Sequence, residues 1–116
     1  MIVAGGRRIV VATKPVDFRR GMDSLASLVQ LSLDSSPFCG DIFVFRSKRA
    51  DRVKILAWDG RGLWLHQMRL EKGRFVWPPI RDGVMTLSPA QFTMLLEGLD
   101  WSRVMPTQIN APELAC

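Results

Sequence analysis

The stretch from Asp41 to Pro78 constrains the fold most, because turn-forming residues divide it into short runs of β-forming residues. The turns Asp59-Gly60-Arg61-Gly62 and Glu71-Lys72-Gly73 each place glycine where a tight hairpin requires a positive φ. The β-forming runs are residues 42–45, 53–58, 63–70 and 74–77. Because the turns after the second and third runs are so short, the pattern predicts consecutive antiparallel strands.

Further elements lie on both sides of this stretch. The β-branched run at residues 8–13 predicts a first strand, and residues 84–87 predict a short edge strand. Apolar residues follow a helical rhythm from Met22 to Leu33. The segment Ser88-Pro89-Ala90-Gln91 predicts the start of a second helix, which ends near Gly98.

These elements predict one α+β domain at residues 1–103. We expect an antiparallel sheet of about five strands, with the helices at residues 22–33 and 88–99 packed on one face. The run at residues 42–45 is apolar at every position, which predicts a central strand covered on both faces. Residues 104–116 contain two prolines and no periodic pattern, so we expect a mobile tail.

Positive charge is concentrated in the first half of the chain. The formal net charge is +5, and residues 1–58 hold ten Lys and Arg against five Asp. Such clustering favours a polyanionic partner, because phosphate contacts release counterions, although a dense basic loop also suits a solvated turn. The residues that we expect to contact DNA are Arg46, Lys48, Arg49, Arg52, Lys54, Arg19 and Arg20.

The tryptophans divide between the predicted core and a predicted surface. Trp58 lies in a central run, so we expect it in the core together with Phe43 and Phe45. The later hairpin has a face that no predicted helix covers, and Trp and Arg dominate many binding surfaces. The residues that we expect to bind a protein partner are Trp64, Trp77 and Arg74.

The sequence offers no catalytic constellation. His66 has no Ser or Cys nucleophile identifiable as its partner, and most aspartates lie in turns or near helix starts. Two cysteines and one histidine without short spacing do not form a zinc site. We therefore expect no catalytic residues, no metal, no cofactor and no small-molecule substrate. No run approaches the roughly 18 apolar residues of a membrane span, and we expect a cytoplasmic protein without a membrane partner.

Several blocks carry a family resemblance, in the same order along the chain. They are Asp17-Phe18-Arg19-Arg20-Gly21, residues 37–46, residues 54–60, residues 69–78 and residues 95–101. Together they resemble the TnpB accessory proteins of the insertion sequence 66 family of bacterial transposons, which are unrelated to the RNA-guided nuclease of that name.

The resemblance implies a non-catalytic accessory protein for DNA transposition. Its implied partners are the transposase and a second small protein of the same element, together with DNA. It would bind the DNA ends of the element or bridge the transposase to DNA. Two other classes stay open, which are a protein–protein adaptor without DNA affinity and a small metal-dependent nuclease.

Overall fold

A computed structural model describes residues 6–33, 35–79 and 84–101. The strands are β1 (Ile9–Ala12), β2 (Ile42–Arg46), β3 (Arg52–Trp58), β4 (Leu63–Arg69) and β5 (Val84–Leu87). The helices are α1 (Met22–Ser32) and α2 (Pro89–Leu96). This architecture confirms the predicted α+β class, the single domain and the number of strands. The mobile tail that we predicted at residues 104–116 lies outside the described residues.

One mixed sheet contains all five strands, in the order β4-β3-β2-β1-β5. Strands β2, β3 and β4 are consecutive antiparallel neighbours, as their short connections predict. Strand β5 pairs antiparallel with β1 and forms an edge, which confirms the predicted edge strand. The β1–β2 pair is parallel, so the prediction of a wholly antiparallel sheet was wrong at this pair. The cause is the connection through α1, because a helical crossover returns the chain to the end where it started.

The two helices pack on opposite faces of the sheet, and the prediction that they share one face was wrong. Leu25 and Val29 of α1 pack in one buried cluster with Val10 of β1. Leu95 of α2 packs in a second cluster with Val11 of β1. Adjacent residues of a strand point to opposite faces, so we name these faces the α1 face and the α2 face. A central strand that is apolar at every position requires cover on both sides.

Residues 74–77 do not form the strand that their composition predicts. The turn with Gly73 at φ 80° takes the chain out of the sheet and onto the α2 face. There Phe75 is buried, and its N–H donates to the carbonyl of Ala50 at 2.6 Å. The Phe75 N–H thus bonds to the loop between β2 and β3, and the Val76 carbonyl accepts from the Trp101 indole, so these backbone groups find partners outside the ladder.

The helix ends follow the predicted signals. The hydroxyl of Ser88 accepts from the backbone N–H of Gln91, and the Gln91 side chain accepts from the N–H of Ser88. Gly98 adopts φ 73° just beyond α2, a conformation that glycine permits at low cost. No helix within the described residues is long and apolar enough to cross a membrane.

Candidate nucleic-acid interface

The topology gathers basic residues from several segments at one end of the sheet. The carboxyl ends of β1, β2 and β4 and the amino end of β3 all lie there, as the strand registers require. We call this region the basic end. Its cations are Lys14, Arg19, Arg20, Arg46, Lys48, Arg49, Arg52, Arg69 and Arg74. Residues far apart in sequence therefore contribute to one positively charged surface.

The loop between β2 and β3 has a defined shape that presents its two central cations. The Ser47 hydroxyl donates to the Asp51 carboxylate at 3.0 Å, and the backbone N–H of Arg52 donates back to that hydroxyl at 3.2 Å. Ala50 adopts φ 57° and is buried, so the loop folds back against the protein. Lys48 and Arg49 are exposed at its tip. An ordered loop loses less conformational freedom on binding than a flexible one.

The Arg46 side chain stabilises this loop through hydrogen bonds to its backbone. Its Nη1 donates to the carbonyls of Ser47 and Lys48, at 3.5 and 3.3 Å. The side chain is half-buried, Nε has no partner, and burial lowers the pKa of the guanidinium. Arginine stays charged in spite of such a shift, so Arg46 adds positive potential beneath the loop tip.

Lys54 is buried, and its ammonium is bonded within the protein rather than presented at the surface. Only 5% of its surface is exposed, and Nζ donates to the carbonyl oxygens of Phe18 and Arg20, each at 2.7 Å. The same ammonium lies 4.9 Å from the centre of the Phe18 ring. The sequence predicted that Lys54 contacts DNA. In the structure Lys54 holds the Arg19–Arg20 segment against the sheet.

Arg19 and Arg20 are both exposed, but each already has a side-chain partner. Arg19 forms an ion pair with Asp17 at 2.7 Å. Hydrogen bonds from the Arg19 side chain and its backbone N–H lower the pKa of Asp17 to about 2. Arg20 donates to the Ser24 hydroxyl at 2.9 Å. Both interactions lie in solvent and are weak, so either guanidinium can turn to a stronger anion.

Trp64 lies on the α2 face of β4, close to the end of the sheet opposite the basic end. It is 51% exposed, stacks on His66 with ring centres 5.6 Å apart, and donates from Nε1 to Asp59 at 2.6 Å. This indole bond and the N–H groups of Arg61 and Gly62 lower the pKa of Asp59 to about 2. The α2 face of β4 is therefore exposed at Trp64, whereas Met68 of the same strand packs against the core.

The structure does not bring the three predicted partner-binding residues together. The half-buried Trp77 donates from Nε1 to the Ala12 carbonyl and packs against the core of the α2 face. Arg74 is exposed at the basic end, next to Phe75. Of this group only Trp64 combines an exposed ring with the open face of β4.

Sequence reasoning missed Arg69, which is the register partner of Arg52. Directly opposite residues of an antiparallel pair share a face, so the two arginines are neighbours. The signal was present, because the hairpin turn at Asp59–Gly62 fixes the pairing of every residue in both strands. Counting back from that turn places position 69 opposite position 52.

The aromatic core is partly as predicted. Phe43 and Phe45 are fully buried, which confirms their assignment. Trp58 is only half-buried, because it ends β3 and packs edge-on against Phe38, which is itself 51% exposed. Within the described ranges no group of three or more His, Cys, Asp and Glu side chains could hold a metal ion.

Fold and surface together define a small α+β domain with its cations gathered at one end. The family model of IS66 Orf2-like proteins matches residues 7–106, and the chain belongs to this family. It is 51% identical to "Uncharacterized protein y4jC" of Sinorhizobium fredii (strain NBRC 101917 / NGR234) over 92% of both chains. It is 42% identical to "Uncharacterized protein y4hO" of the same strain, over 86% of this chain and 87% of the relative. No solved structure matches the chain. Membership confirms the resemblance to the accessory proteins of this transposon family and implies a role associated with transposition.

Proposed function

We propose that this protein is a non-catalytic accessory protein of transposition, and that it binds the DNA of its element through the basic end. The observation that carries the proposal is the convergence of cations from three segments, the β1–α1 connection, the β2–β3 loop and the end of β4, on one end of the sheet. Membership in a transposon-encoded family supplies the context in which the polyanion is DNA.

The basic end suits contacts to the phosphate backbone of DNA rather than readout of its bases. Exposed cations such as Lys48 and Arg49 displace the counterions condensed on DNA, and this release drives binding. Backbone contacts position a protein on DNA without selecting a sequence. The basic end therefore supports affinity and orientation, and we assign sequence choice to the transposase. A protein that acts on bacterial DNA works in the cytoplasm, which is our proposed location.

A second candidate function is that of a protein adaptor, and the exposed Trp64–His66 stack favours it. Exposed tryptophan is enriched at the centres of binding surfaces. Its proposed partner is the transposase, or the second small protein of the same element. Trp64 and Arg69 are five residues apart along β4, which corresponds to about 17 Å. The protein can therefore bind a partner and DNA at the same time, which would bridge the partner to DNA.

The test of DNA binding is the salt dependence of affinity for a duplex. We expect Arg49→Ala to weaken binding and to lower the slope of log K against log salt by about 0.9. Arg61→Ala is the matched control, since Arg61 is an equally exposed arginine at the opposite end of the sheet. An unchanged slope in a folded Arg49→Ala protein would favour the adaptor function.

A further inference from the structure

Arg52 and Arg69 lie side by side on the α1 face at the basic end. They are register partners in the β3–β4 pair, and Arg52 shares its face with Lys54 and Leu56. Leu56 packs against α1, which identifies that face. Opposite residues in such a pair have Cβ atoms about 5 Å apart, so both guanidinium groups can reach a common point in front of the sheet.

This pairing costs stability unless an anion compensates it, because like charges directly opposite each other on a sheet repel. Arg52 is half-buried and has no side-chain partner among residues 6–33, 35–79 and 84–101. Arg69 contacts Glu71 at 3.4 Å, but both side chains are mostly exposed. A solvated ion pair of this kind is weak and leaves Arg69 available. The positive charges of Arg52 and Arg69 are therefore only weakly compensated by acidic side chains.

The backbone of a third arginine, Arg20, is tied to the same strand through Lys54. The Lys54 ammonium holds the Arg20 carbonyl, and Lys54 follows Arg52 by two residues on the same face. The Arg20 backbone is thereby held against β3, and its guanidinium donates to the Ser24 hydroxyl at 2.9 Å. A neutral hydroxyl is a weaker acceptor than a phosphate oxygen. Arg20 would therefore form a stronger hydrogen bond if it exchanged the Ser24 hydroxyl for a phosphate oxygen.

We propose that Arg20, Arg52 and Arg69 form a phosphate-binding site that takes a phosphodiester group of the duplex DNA backbone. This inference rests on the proposed function and adds the residues and the ligand group. Guanidinium forks bind phosphate oxygens with two hydrogen bonds each, which suits a site built from arginine rather than lysine. The site lies on the α1 face of the basic end, next to the exposed loop tip of Lys48 and Arg49.

The position of the aromatic side chains favours a duplex over a single strand. Proteins that bind single strands stack bases on exposed aromatic rings beside the cations. Across the described part of the chain, the large exposed aromatic residues are Phe38 and Trp64. Phe38 packs on Trp58 and Trp64 bonds to Asp59, which places both at the opposite end of the sheet. The three arginines therefore meet phosphates without a stacking platform.

The experiment compares duplex affinity across single-charge variants of the full chain. We expect Arg52→Gln and Arg69→Gln each to weaken binding roughly tenfold and to lower the salt slope by about 0.9. Glu71→Gln should act in the opposite direction and tighten binding a few-fold, because it removes a competing carboxylate from Arg69. Arg61→Gln controls for the general loss of one positive charge.

A structural role for the arginines gives a different pattern. Arg69→Lys keeps the charge but not the fork, and we expect it to recover only part of the lost affinity. Circular dichroism and thermal melts confirm that each variant is folded. Full affinity in folded Arg52→Gln and Arg69→Gln, while Arg49→Ala still weakens binding, would overturn the site and leave the proposed function intact.

Two further measurements separate the proposals. Inorganic phosphate should raise the Tm of the wild-type protein and have a smaller effect on Arg52→Gln. If the wild type binds no duplex, the proposed function fails, and equal phosphate stabilisation of both proteins then overturns the site as well. Tighter binding to a single strand of the same length than to the duplex would overturn the choice of ligand.

Discussion

The ammonium of Lys54 lies 2.7 Å from the carbonyl oxygen of Arg20, a residue 34 positions away in sequence. This contact joins a strand of the sheet to the connection that carries Arg19 and Arg20. The Arg19–Arg20 segment is thus held at the basic end by a buried lysine that is not itself presented to solvent. Lys54 therefore has a structural role, whereas Lys48 in the β2–β3 loop is exposed and available for binding.

Lys54→Met should destabilise the protein, because it leaves the carbonyls of Phe18 and Arg20 without their donor. The loss of a buried charged donor predicts a decrease of about 1–3 kcal/mol in the free energy of unfolding. Lys48→Met is the matched control and should change stability by less than about 0.5 kcal/mol, because Lys48 is exposed. Urea denaturation measures the stability of both variants, and equal stabilities would contradict the structural role of the Lys54 contacts.

Trp64→Ala should spare stability while impairing partner binding. Phe43 is fully buried, so Phe43→Ala should cost about 3–5 kcal/mol, whereas truncating the half-exposed Trp64 should cost well below that. Thermal melts and a pull-down with the transposase measure the two effects. Phe38→Ala controls for the loss of an exposed aromatic at the same end of the sheet. A Trp64→Ala protein that melts as early as Phe43→Ala would show that this face is core.

Stability in acid should depend on Asp59. Its pKa is lowered from the ordinary 3.8 to about 2, because the Trp64 indole and two backbone N–H groups donate to the carboxylate. A lowered pKa stabilises the folded state above the unfolded value, and that contribution is lost as the pH falls from about 4 to 2. The stability difference between wild type and Asp59→Asn should therefore be constant from pH 7 to 5 and shrink at pH 3. Urea titrations at these pH values test it, and an undiminished difference at pH 3 would contradict it.

Purified protein with Mg²⁺ or Mn²⁺ should leave supercoiled plasmid uncut. Asp51 and Asp59 flank opposite ends of β3, a strand of seven residues, and are eight residues apart, so about 26 Å separates them. Two-metal nuclease sites require carboxylates around ions about 4 Å apart. Agarose gels detect nicking, and metal-dependent cleavage that disappears in Asp51→Ala or Asp59→Ala would restore the nuclease alternative.

The sequence predicts the β3–β4 hairpin, the turn at Gly73 and the start of α2 well, because their causes are local. The hairpin predicted at Gly73 does not form, since residues 74–77 leave the sheet. Gly60 and Gly73 mark turns, and Ser88 with Gln91 caps α2, without reference to any distant residue. The opposite placement of the two helices is a long-range property and was missed. It could have been derived, since the fully apolar residues 42–45 already require two covered faces.

The candidate site was predictable in composition but not in arrangement. The density of cations between Arg46 and Arg52 is visible in the sequence, and Lys48 and Arg49 are exposed as a binding loop requires. That Lys54 turns inward depends on Phe18 and on two backbone carbonyls, which only the folded chain brings near. Single-residue patterns do not reveal which member of a charged run is buried.

The pairing of β1 with β5 joins the first and the last strand of the described residues. A nascent chain that ends before Val84 still has β2 beside β1 but lacks β5 and the α2 helix, so Ile9 and Val11 lose part of their cover on the α2 face. Loop closure over so long a separation is slow and comes late in folding. The core of the α2 face is therefore complete only after α2 has been synthesised, and we expect a chain terminated before that point to be prone to aggregation rather than to form a smaller working domain.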